Sequence, residues 1–263
     1  MQTTAVIVPC YNEEKRLNLD EFRTATQDYP SIHYIFVNDG STDQTAALLQ
    51  EFCKENPEQL YYLAMAQNSG KAEAVRTGVF HALQHDNNYD FVAFWDADLA
   101  TPLSDVPKFV EILANSDNNI VMGSRVKLLG RNVQRKLLRH YLGRIFATCA
   151  SLLLRLPVYD TQCGAKMFRN TPEIRRAFSQ PFRVDWVFDV ELLGRLLILE
   201  RLGEGATVVE TTVEYPLYTW TDVPGSKVRP AHFVKAGFEF LKIAWMMYRG
   251  KPPAQLPTND SSS

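Results

Sequence analysis

The stretch Phe91-Val92-Ala93-Phe94-Trp95-Asp96-Ala97-Asp98-Leu99-Ala100-Thr101-Pro102 decides how this chain is read. Phe91 to Trp95 is an apolar run dominated by large side chains, the pattern of a strand buried on both faces. Two carboxylates follow with one residue between them. Pro102 then blocks further strand pairing and is suited to open a helix. An Asp-x-Asp pair at the end of a buried strand is costly unless its charges meet a cation. Carboxylate oxygens suit Mg²⁺ or Mn²⁺, and these hard ions also hold the phosphates of a substrate. The pair therefore reads as a metal site for a phosphorylated substrate; for these residues alone the alternative is a solvated acidic turn.

The same pattern of strand followed by polar turn recurs on both sides of this stretch. Ala5 to Pro9 is a short buried strand followed by Cys10-Tyr11-Asn12-Glu13-Glu14 and a helical pattern to about Asp28. His33 to Val37 is a second strand, ending in Asn38-Asp39-Gly40-Ser41-Thr42-Asp43, which supplies helix-capping side chains. Leu60 to Met65 is a third, and Asn68-Ser69-Gly70-Lys71 opens a helix to about Gln84. After the central strand, a helix over Leu103 to Ala114 and a strand over Asn119 to Gly123 complete the set. Strands alternating with helices predict an α/β fold with a mostly parallel sheet and helices on both faces. Ligands of such sheets lie beyond the carboxyl ends of the strands. There the first five strands deliver Asn12 and Glu13, Asp39, Asn68 and Lys71, Asp96 and Asp98, and Ser124 and Arg125. Their convergence argues for one site, although a polar loop is the ordinary expectation for each alone.

Composition narrows the classes. The chain has 263 residues, 46% hydrophobic and 22% charged, with a net charge of −2. That length supports one large core or two small ones, and the charge gives no case for nucleic acid. The four cysteines, at 10, 53, 149 and 163, form no CxxC pair; they fit free thiols in a reducing compartment and argue against a zinc site. The Met1-Gln2-Thr3-Thr4 start has no basic region, so no signal peptide is expected. The longest apolar run, Ile145 to Leu154, is ten residues, short of the ~20 that span a bilayer. The expected location is cytoplasmic. Gly70-Lys71 is not part of a Walker loop, since Met65 and Ala72 occupy the positions that need Gly and Ser or Thr.

Taken together, Val8-Pro9-Cys10-Tyr11-Asn12-Glu13, Val37-Asn38-Asp39-Gly40-Ser41-Thr42-Asp43-Gln44-Thr45, Asn68-Ser69-Gly70-Lys71 and Asp96-Ala97-Asp98 resemble the family 2 glycosyltransferases of the GT-A fold. Gly123-Ser124-Arg125, the segment from Asp160 to Phe168, Phe188-Asp189-Val190-Glu191 and Gly225-Ser226-Lys227-Val228 look like the branch that glucosylates dolichyl and other polyprenyl phosphates. The matches run from about Ala5 to Val228. The resemblance implies one GT-A domain over residues 1–250, with a nucleotide-binding half to about 125 and an acceptor half from about 126, and a disordered tail over 251–263. It implies that Pro9, Tyr11, Asn12, Glu13, Asp39, Lys71, Asp96, Ala97 and Asp98 bind a nucleotide sugar, and that Asp98 binds Mg²⁺ or Mn²⁺ directly with Asp96 beside it. Asp98, Arg125, Asp160 and Asp189 are implied in catalysis. Asp160 and Asp189 are expected to organise sugar hydroxyls, acceptor or basic residues, with a weak base role open. Ala100 replaces the glutamine of the mannosyl branch, which inclines the reading to UDP-glucose over GDP-mannose. Other donors, or a soluble saccharide acceptor, remain the alternative on the same fold. A nucleotide-sugar binding protein without turnover is the alternative outside enzymology.

The acceptor half carries an amphipathic pattern between Arg131 and Leu156. Val133, Leu137, Leu138, Tyr141, Leu142, Ile145, Phe146, Cys149, Leu152, Leu153 and Leu156 recur at helical spacing, with Arg131, Arg135, Lys136, Arg139, His140 and Arg144 on the polar side. Such a helix suits an anionic lipid surface, or equally a core or dimer contact with a solvated basic face. The resemblance implies the first: peripheral contact with the cytoplasmic face of a membrane, with Arg125, Arg131 and Arg135 as candidates for the phosphate of a polyprenyl acceptor. A second helix over about Pro230 to Tyr248 is expected to pack on the sheet. Trp220 and Lys227 are expected in a flap over the donor phosphates, with Gly225 as a hinge.

Overall fold

The computed structural model describes residues 2–84, 88–134, 137–221, 223 and 231–254. Seven strands form one sheet: β1 (Thr4–Cys10), β2 (Ile32–Asn38), β3 (Leu60–Ala64), β4 (Phe91–Trp95), β5 (Ile120–Ser124), β7 (Ala165–Arg169) and β8 (Thr212–Pro216). Their order is β3-β2-β1-β4-β7-β5-β8. All run in one direction except β7, which lies antiparallel between β4 and β5. β6 (Asn132–Gln134) and β9 (Thr219–Thr221) form a separate parallel pair, with Val133 opposite Trp220. The expected α/β fold is thus present, and strand-by-strand reading, which supplied β1 to β5, did not provide the inserted antiparallel strand β7, the edge strand β8 or the small β6–β9 pair. Ala165 to Arg169 contains Lys166 and Arg169, and Thr212 to Pro216 contains Glu214, so neither shows the apolar run of β4.

Side-chain alternation divides the core into two layers. Ile7, Ile35, Val37, Val92, Phe94, Met122 and Phe168 face a layer built on α3 (Lys71–Gln84), α5 (Leu137–Leu154), α7 (Phe188–Arg201) and α8 (Ala231–Arg249). Val6, Val8, Phe36, Phe91, Ala93, Trp95 and Met167 face the layer of α1 (Leu19–Asp28), α2 (Thr45–Glu55) and α4 (Val106–Ala114). The helix expected from Leu103 begins as a 3₁₀ turn, Leu103–Asp105, before α4. The short α6 (Pro172–Ala177) is capped by Thr171.

Glycine sets the closest approach of helix to sheet. A Cβ on Gly78 of α3 would lie 2.5 Å from Ile7 Cγ2 and 2.8 Å from Val37 Cγ2. Buried carboxylates fix the segment leading into α7. Glu191 Oε2 accepts from the Arg183 and Val184 N–H groups at 2.7 and 3.1 Å, and Glu239 of α8 accepts from those of Trp186 and Val187 at 3.0 and 3.1 Å. Each satisfies backbone donors that would otherwise be buried without partners.

The two long helices α5 and α8 depart from expectation. On α5, Phe146, Ala147, Ala150, Leu153 and Leu154 pack inward, while Tyr141, Ile145 and Leu152 remain exposed, Ile145 at 63% and Leu152 at 73%. Arg144, expected on a solvated basic face, instead lies over the Tyr159 ring at 3.7 Å. On α8, Ala236, Ile243, Met246 and Met247 are buried, whereas Phe238, Leu241, Trp245 and Tyr248 form an exposed row. α8, expected to pack on the sheet, instead meets α7 and α5 with its buried face, and a second apolar face is left outside. Phe146 and Phe240, with ring centroids 4.9 Å apart, join the two helices. Among the described residues no helix is long and apolar enough to cross a membrane.

The first residues of the expected disordered tail are docked. Pro253 is buried and its carbonyl accepts from Arg176 Nε at 2.8 Å, while the Ala254 carbonyl accepts from Ser179 Oγ at 2.8 Å. Residues 255–263 lie outside the described residues. Gly78→Val should lower unfolding stability by about 1–3 kcal/mol through overpacking against Ile7 and Val37. Urea unfolding followed by circular dichroism measures this, and an unchanged midpoint would contradict the packing described.

Candidate functional site

The loops at the carboxyl ends of β1 and β2 are tied together by side chains. Asn12 adopts φ of 50°, in the left-handed region that asparagine tolerates. Its N–H donates to Ser41 Oγ at 3.0 Å and its Oδ1 accepts from the Thr42 N–H at 2.8 Å. The Glu13 N–H donates to Thr45 Oγ1 at 2.8 Å. Pro9 and Tyr11 flank this junction, both half-buried. Asp39 reaches to the next loop: its Oδ1 accepts from the Ser69 N–H at 2.7 Å and its Oδ2 from the Gly70 N–H at 2.9 Å. Burial pushes the Asp39 carboxyl above its ordinary pKa, these two hydrogen bonds oppose the shift, and the nearby carboxylates of Asp185 and Glu73 add to it. Asp39 thus organises the loop that opens α3. Gly70, at φ of 91°, has the Asp185 carboxylate against its Cα, where a Cβ would collide with it.

At the end of β4 the carboxylate pair is flanked by two cations. Lys71 Nζ is hydrogen-bonded to Asp96 Oδ1, and Arg16 Nη1 is 3.8 Å from Asp98 Oδ2. Burial favours the neutral amine of Lys71, but the charges of Asp96, Asp189 and Asp98 outweigh it and raise its pKa, so it stays an ammonium through neutral pH. Burial and the Asp96 charge push the Asp98 carboxyl up, opposed by the Ala100 N–H, Arg16 and Lys71. Ala97 between the two carboxylates is buried, and Leu99 turns the chain at φ of 51°. Such a turn is costly for a residue with a side chain and is held here by the Leu99 N–H donating to the Asp96 carbonyl at 3.1 Å.

This donor set can be tested against a divalent metal. Among the described residues no three His, Cys, Asp or Glu side chains cluster to enclose an ion. Two adjacent carboxylates, one with its pKa raised by burial and its neighbour, instead suit an ion that takes its other ligands from water and a diphosphate, as Mg²⁺ does. The residues fit a metal shared with the substrate.

β7 builds the other side of the site. The Asp96 N–H donates to the Gly164 carbonyl at 2.9 Å, and a Cβ on Gly164 would fall inside the Asp96 carboxylate. Lys166, 1% exposed, donates to the Cys163 carbonyl at 2.6 Å, pairs with Asp189 Oδ1 at 2.7 Å and lies over the Phe94 ring at 5.1 Å. Arg125, at the end of β5, donates through Nε and Nη2 to the two oxygens of Asp160, each at 2.7 Å, and its backbone N–H donates to Asp160 Oδ2 at 3.0 Å. Burial opposes the charge on Arg125, and Asp160 more than restores it, raising the pKa. Asp160 and Asp189 thus organise basic residues, each paired with a buried cation.

Trp220 requires a correction. It is 7% exposed, paired through β9 to β6, and carries the Arg125 guanidinium 5.5 Å from its ring centroid. It is part of the fixed floor of the site rather than a flap. Gly225, Lys227 and Arg135 lie outside the described residues. Arg131 stacks over the exposed Tyr218 ring at 5.1 Å, each one residue before a strand of the small sheet. Reading by motif missed Arg16, Lys166, Gly164 as the neighbour of Asp96, and Asp185. Two signals were present: Glu13 and Arg16 have the i, i+3 spacing of a helical ion pair, and a lysine inside an apolar strand demands a buried partner.

Comparison with known proteins supplies independent findings. The model of the family described as glycosyl transferase family 2 matches residues 5–176. The chain is 31% identical over 244 residues to the dolichyl-phosphate beta-glucosyltransferase of Saccharomyces cerevisiae, covering 85% of this chain and 68% of that protein. It is 32% identical over 241 residues to the Homo sapiens protein of the same name, covering 86% and 69%. Among solved structures, glucosyl-3-phosphoglycerate synthase from Mycobacterium tuberculosis, in complex with Mn²⁺, uridine-diphosphate and glucosyl-3-phosphoglycerate, superposes with a TM-score of 0.62 at 18% identity, over 96% of this chain and 81% of that one. The mannosyltransferase PcManGT from Pyrobaculum calidifontis, in complex with GDP-Man and Mn²⁺, gives 0.59 at 17%, over 97% and 66%. At these identities the two structures speak for the shared fold.

Gly164→Ala should reduce turnover on the order of a hundredfold, because it displaces Asp96 by about an ångström. Steady-state kinetics beside a thermal melt checks this. Full activity in a folded variant would mean that the placement of Asp96 against β7 does not matter.

Proposed function

The chain belongs to glycosyl transferase family 2, and from that premise we propose that it transfers glucose from UDP-glucose to a polyprenyl phosphate at a membrane surface. The observation that carries the reading is the division of the site by β7. Asp96 and Asp98 with Lys71 and Arg16 stand on one side of it, and Arg125, held by Asp160, stands on the other. The first group suits a nucleoside diphosphate with a divalent metal, and the second suits an anionic acceptor. The dolichyl-phosphate beta-glucosyltransferase activity for which the yeast and human relatives are named supports the glucosyl donor and the polyprenyl acceptor. The uridine-diphosphate and Mn²⁺ complex of a structural neighbour is consistent with the donor class.

Asp96 and Asp98 would hold Mg²⁺ or Mn²⁺, which when bound neutralises charge on the diphosphate. Lys71 and Arg16 add fixed positive charge beside it, and Glu13 and Asp39 shape the nucleoside end through the hydrogen bonds of their loops. Arg125 offers a guanidinium that is already oriented, and such forks match phosphate oxygens. A phosphate monoester is largely ionised near neutral pH, so attack on the sugar needs orientation rather than a strong base. That agrees with the commitment of Asp160 and Asp189 to ion pairs. In-line attack from the side opposite the leaving diphosphate would invert the anomeric centre.

The exposed rows of α5 and α8 support peripheral contact with a lipid surface. Together they offer Tyr141, Ile145, Leu152, Phe238, Leu241, Trp245 and Tyr248. Arg249 lies over the Trp245 ring at 5.5 Å, so a cation accompanies an aromatic side chain of the interfacial type.

UDP release from UDP-glucose should require Mg²⁺ or Mn²⁺ and rise when a short polyprenyl phosphate is added, and GDP-mannose should be a poor donor. Asp98→Asn should lower this turnover by about 10²–10³, the scale for losing a preorganised charge at the reacting group. Release that responds to a soluble sugar and ignores the lipid would reject the acceptor, and uridine-diphosphate binding without turnover of any donor would reject the enzyme. In flotation with anionic vesicles, Ile145→Glu combined with Trp245→Glu should lose at least about tenfold in binding, as charged groups replace two apolar contacts. Equal flotation of variant and wild type would remove α5 and α8 from the contact.

A further inference from the structure

Outside the residues already assigned, the acceptor half contains a carboxylate with an unexplained commitment. Glu214 lies in β8, opposite Met122 of β5. Its Oε2 accepts from the Tyr159 N–H at 2.8 Å and its Oε1 from the Asp160 N–H at 2.8 Å. One carboxylate thus grips two successive backbone donors of the turn that presents Asp160. A carboxylate acceptor strengthens each of these bonds relative to a neutral one and fixes the orientation of the peptide between them.

The turn so held leads directly to Arg125. Asp160 accepts three hydrogen bonds from Arg125, two from the guanidinium and one from the backbone, and also one from the Gln162 N–H at 3.2 Å. The guanidinium has five N–H donors, and Asp160 takes two of them. The Trp220 ring fixes its plane from one side, and Arg144 of α5 stacks on the Tyr159 ring at 3.7 Å from the other end of the turn. Glu214, the backbone of 159–160, Asp160 and Arg125 therefore form one continuous hydrogen-bonded series from β8 to the acceptor side of the site.

We propose that Glu214 is a positioning residue: by holding the backbone of Tyr159 and Asp160, it orients Arg125 toward an anionic acceptor. The proposal rests on the reading of Arg125 as the acceptor-phosphate residue, and deepens it. Glu214→Gln keeps the shape of the side chain but sets an amide NH₂ against a backbone N–H, so one hydrogen bond is lost and two donors face each other.

Two measurements on the full chain test this. The first is solvent exchange of the Arg125 side-chain Nε–H, identified in arginine-selective NMR spectra by its disappearance in Arg125→Lys. The second is the pair of Michaelis constants for UDP-glucose and a short polyprenyl phosphate. In Glu214→Gln the Nε–H should exchange about tenfold faster and the acceptor KM should rise about tenfold, the scale of one lost charge-assisted hydrogen bond. Donor KM should stay close to wild type, while the melting temperature should fall by no more than about 2–4 °C, the scale of one lost hydrogen bond in a chain of this size. Glu214→Ala should enlarge both effects; if it does not fold, Glu214→Gln carries the test alone. Unchanged exchange with unchanged acceptor KM would overturn the proposal. So would donor and acceptor KM rising together with a larger fall in melting temperature, since that marks general loosening. If the wild type transfers nothing to polyprenyl phosphate, the proposed acceptor fails, and the exchange rate alone then decides whether Glu214 holds Arg125.

Discussion

Two carboxylates at the carboxyl end of a fully buried strand must be met by positive charge, and much of this site is arranged by that requirement. Asp96 is reached by Lys71 from the start of α3, and Asp98 is approached by Arg16 from the turn after β1. Neither cation lies near the pair in sequence. Each is delivered because β1 and β4 are adjacent in the sheet and α3 packs across both. The carboxylates in turn keep Lys71 charged and hold Arg16 beside the site. The same charges explain why Gly164 has no side chain, since any Cβ there would occupy the volume of the Asp96 carboxylate.

The reversed strand β7 turns the end of a mostly parallel sheet into a site with two sides. It enters between β4 and β5 at the edge where both end, so the segment before it, from Asp160 to Gly164, crosses the mouth of the site. It also carries Lys166 into the layer beneath, where Asp189 meets it. Buried ion pairs of this kind add little net stability, because desolvation offsets attraction. Their consequence here is geometric. Asp160 and Asp189 each fix the direction of a cation, and Glu214 and Glu239 fix the backbone segments from which the acceptor half is built.

The long helices show how far periodicity can be trusted. An apolar stripe and a basic stripe suggested a two-faced α5, yet the helix is apolar on two sides over its second half, and Arg144 turns inward onto Tyr159. α8 behaves alike, with methionines inward and aromatic residues outward. Periodicity reports that a face is apolar. Which apolar face meets the protein depends on where neighbouring elements stand, and here α7 takes one side of each helix while the two helices also touch each other.

Sequence by itself determined the alternation of strands and helices, because buried parallel strands are near-uniformly apolar and their loops are not. It determined the five polar strand ends and, through Asp96-Ala97-Asp98 and the Asn12, Asp39 and Arg125 motifs, the family resemblance that the comparisons bear out. These are local signals, carried by residues close together in the chain. Tertiary structure alone decided what depends on contacts between distant segments. Arg16 stands opposite Asp98 across 82 positions and Glu214 grips the turn at Asp160 across 54, separations over which no spacing rule operates. Trp220 became a buried support for Arg125 because β9 pairs with β6, although its Gly- and Pro-containing surroundings read as a flap. A carboxylate's role follows from which donor reaches it, and that is settled when the sheet brings the strand ends together.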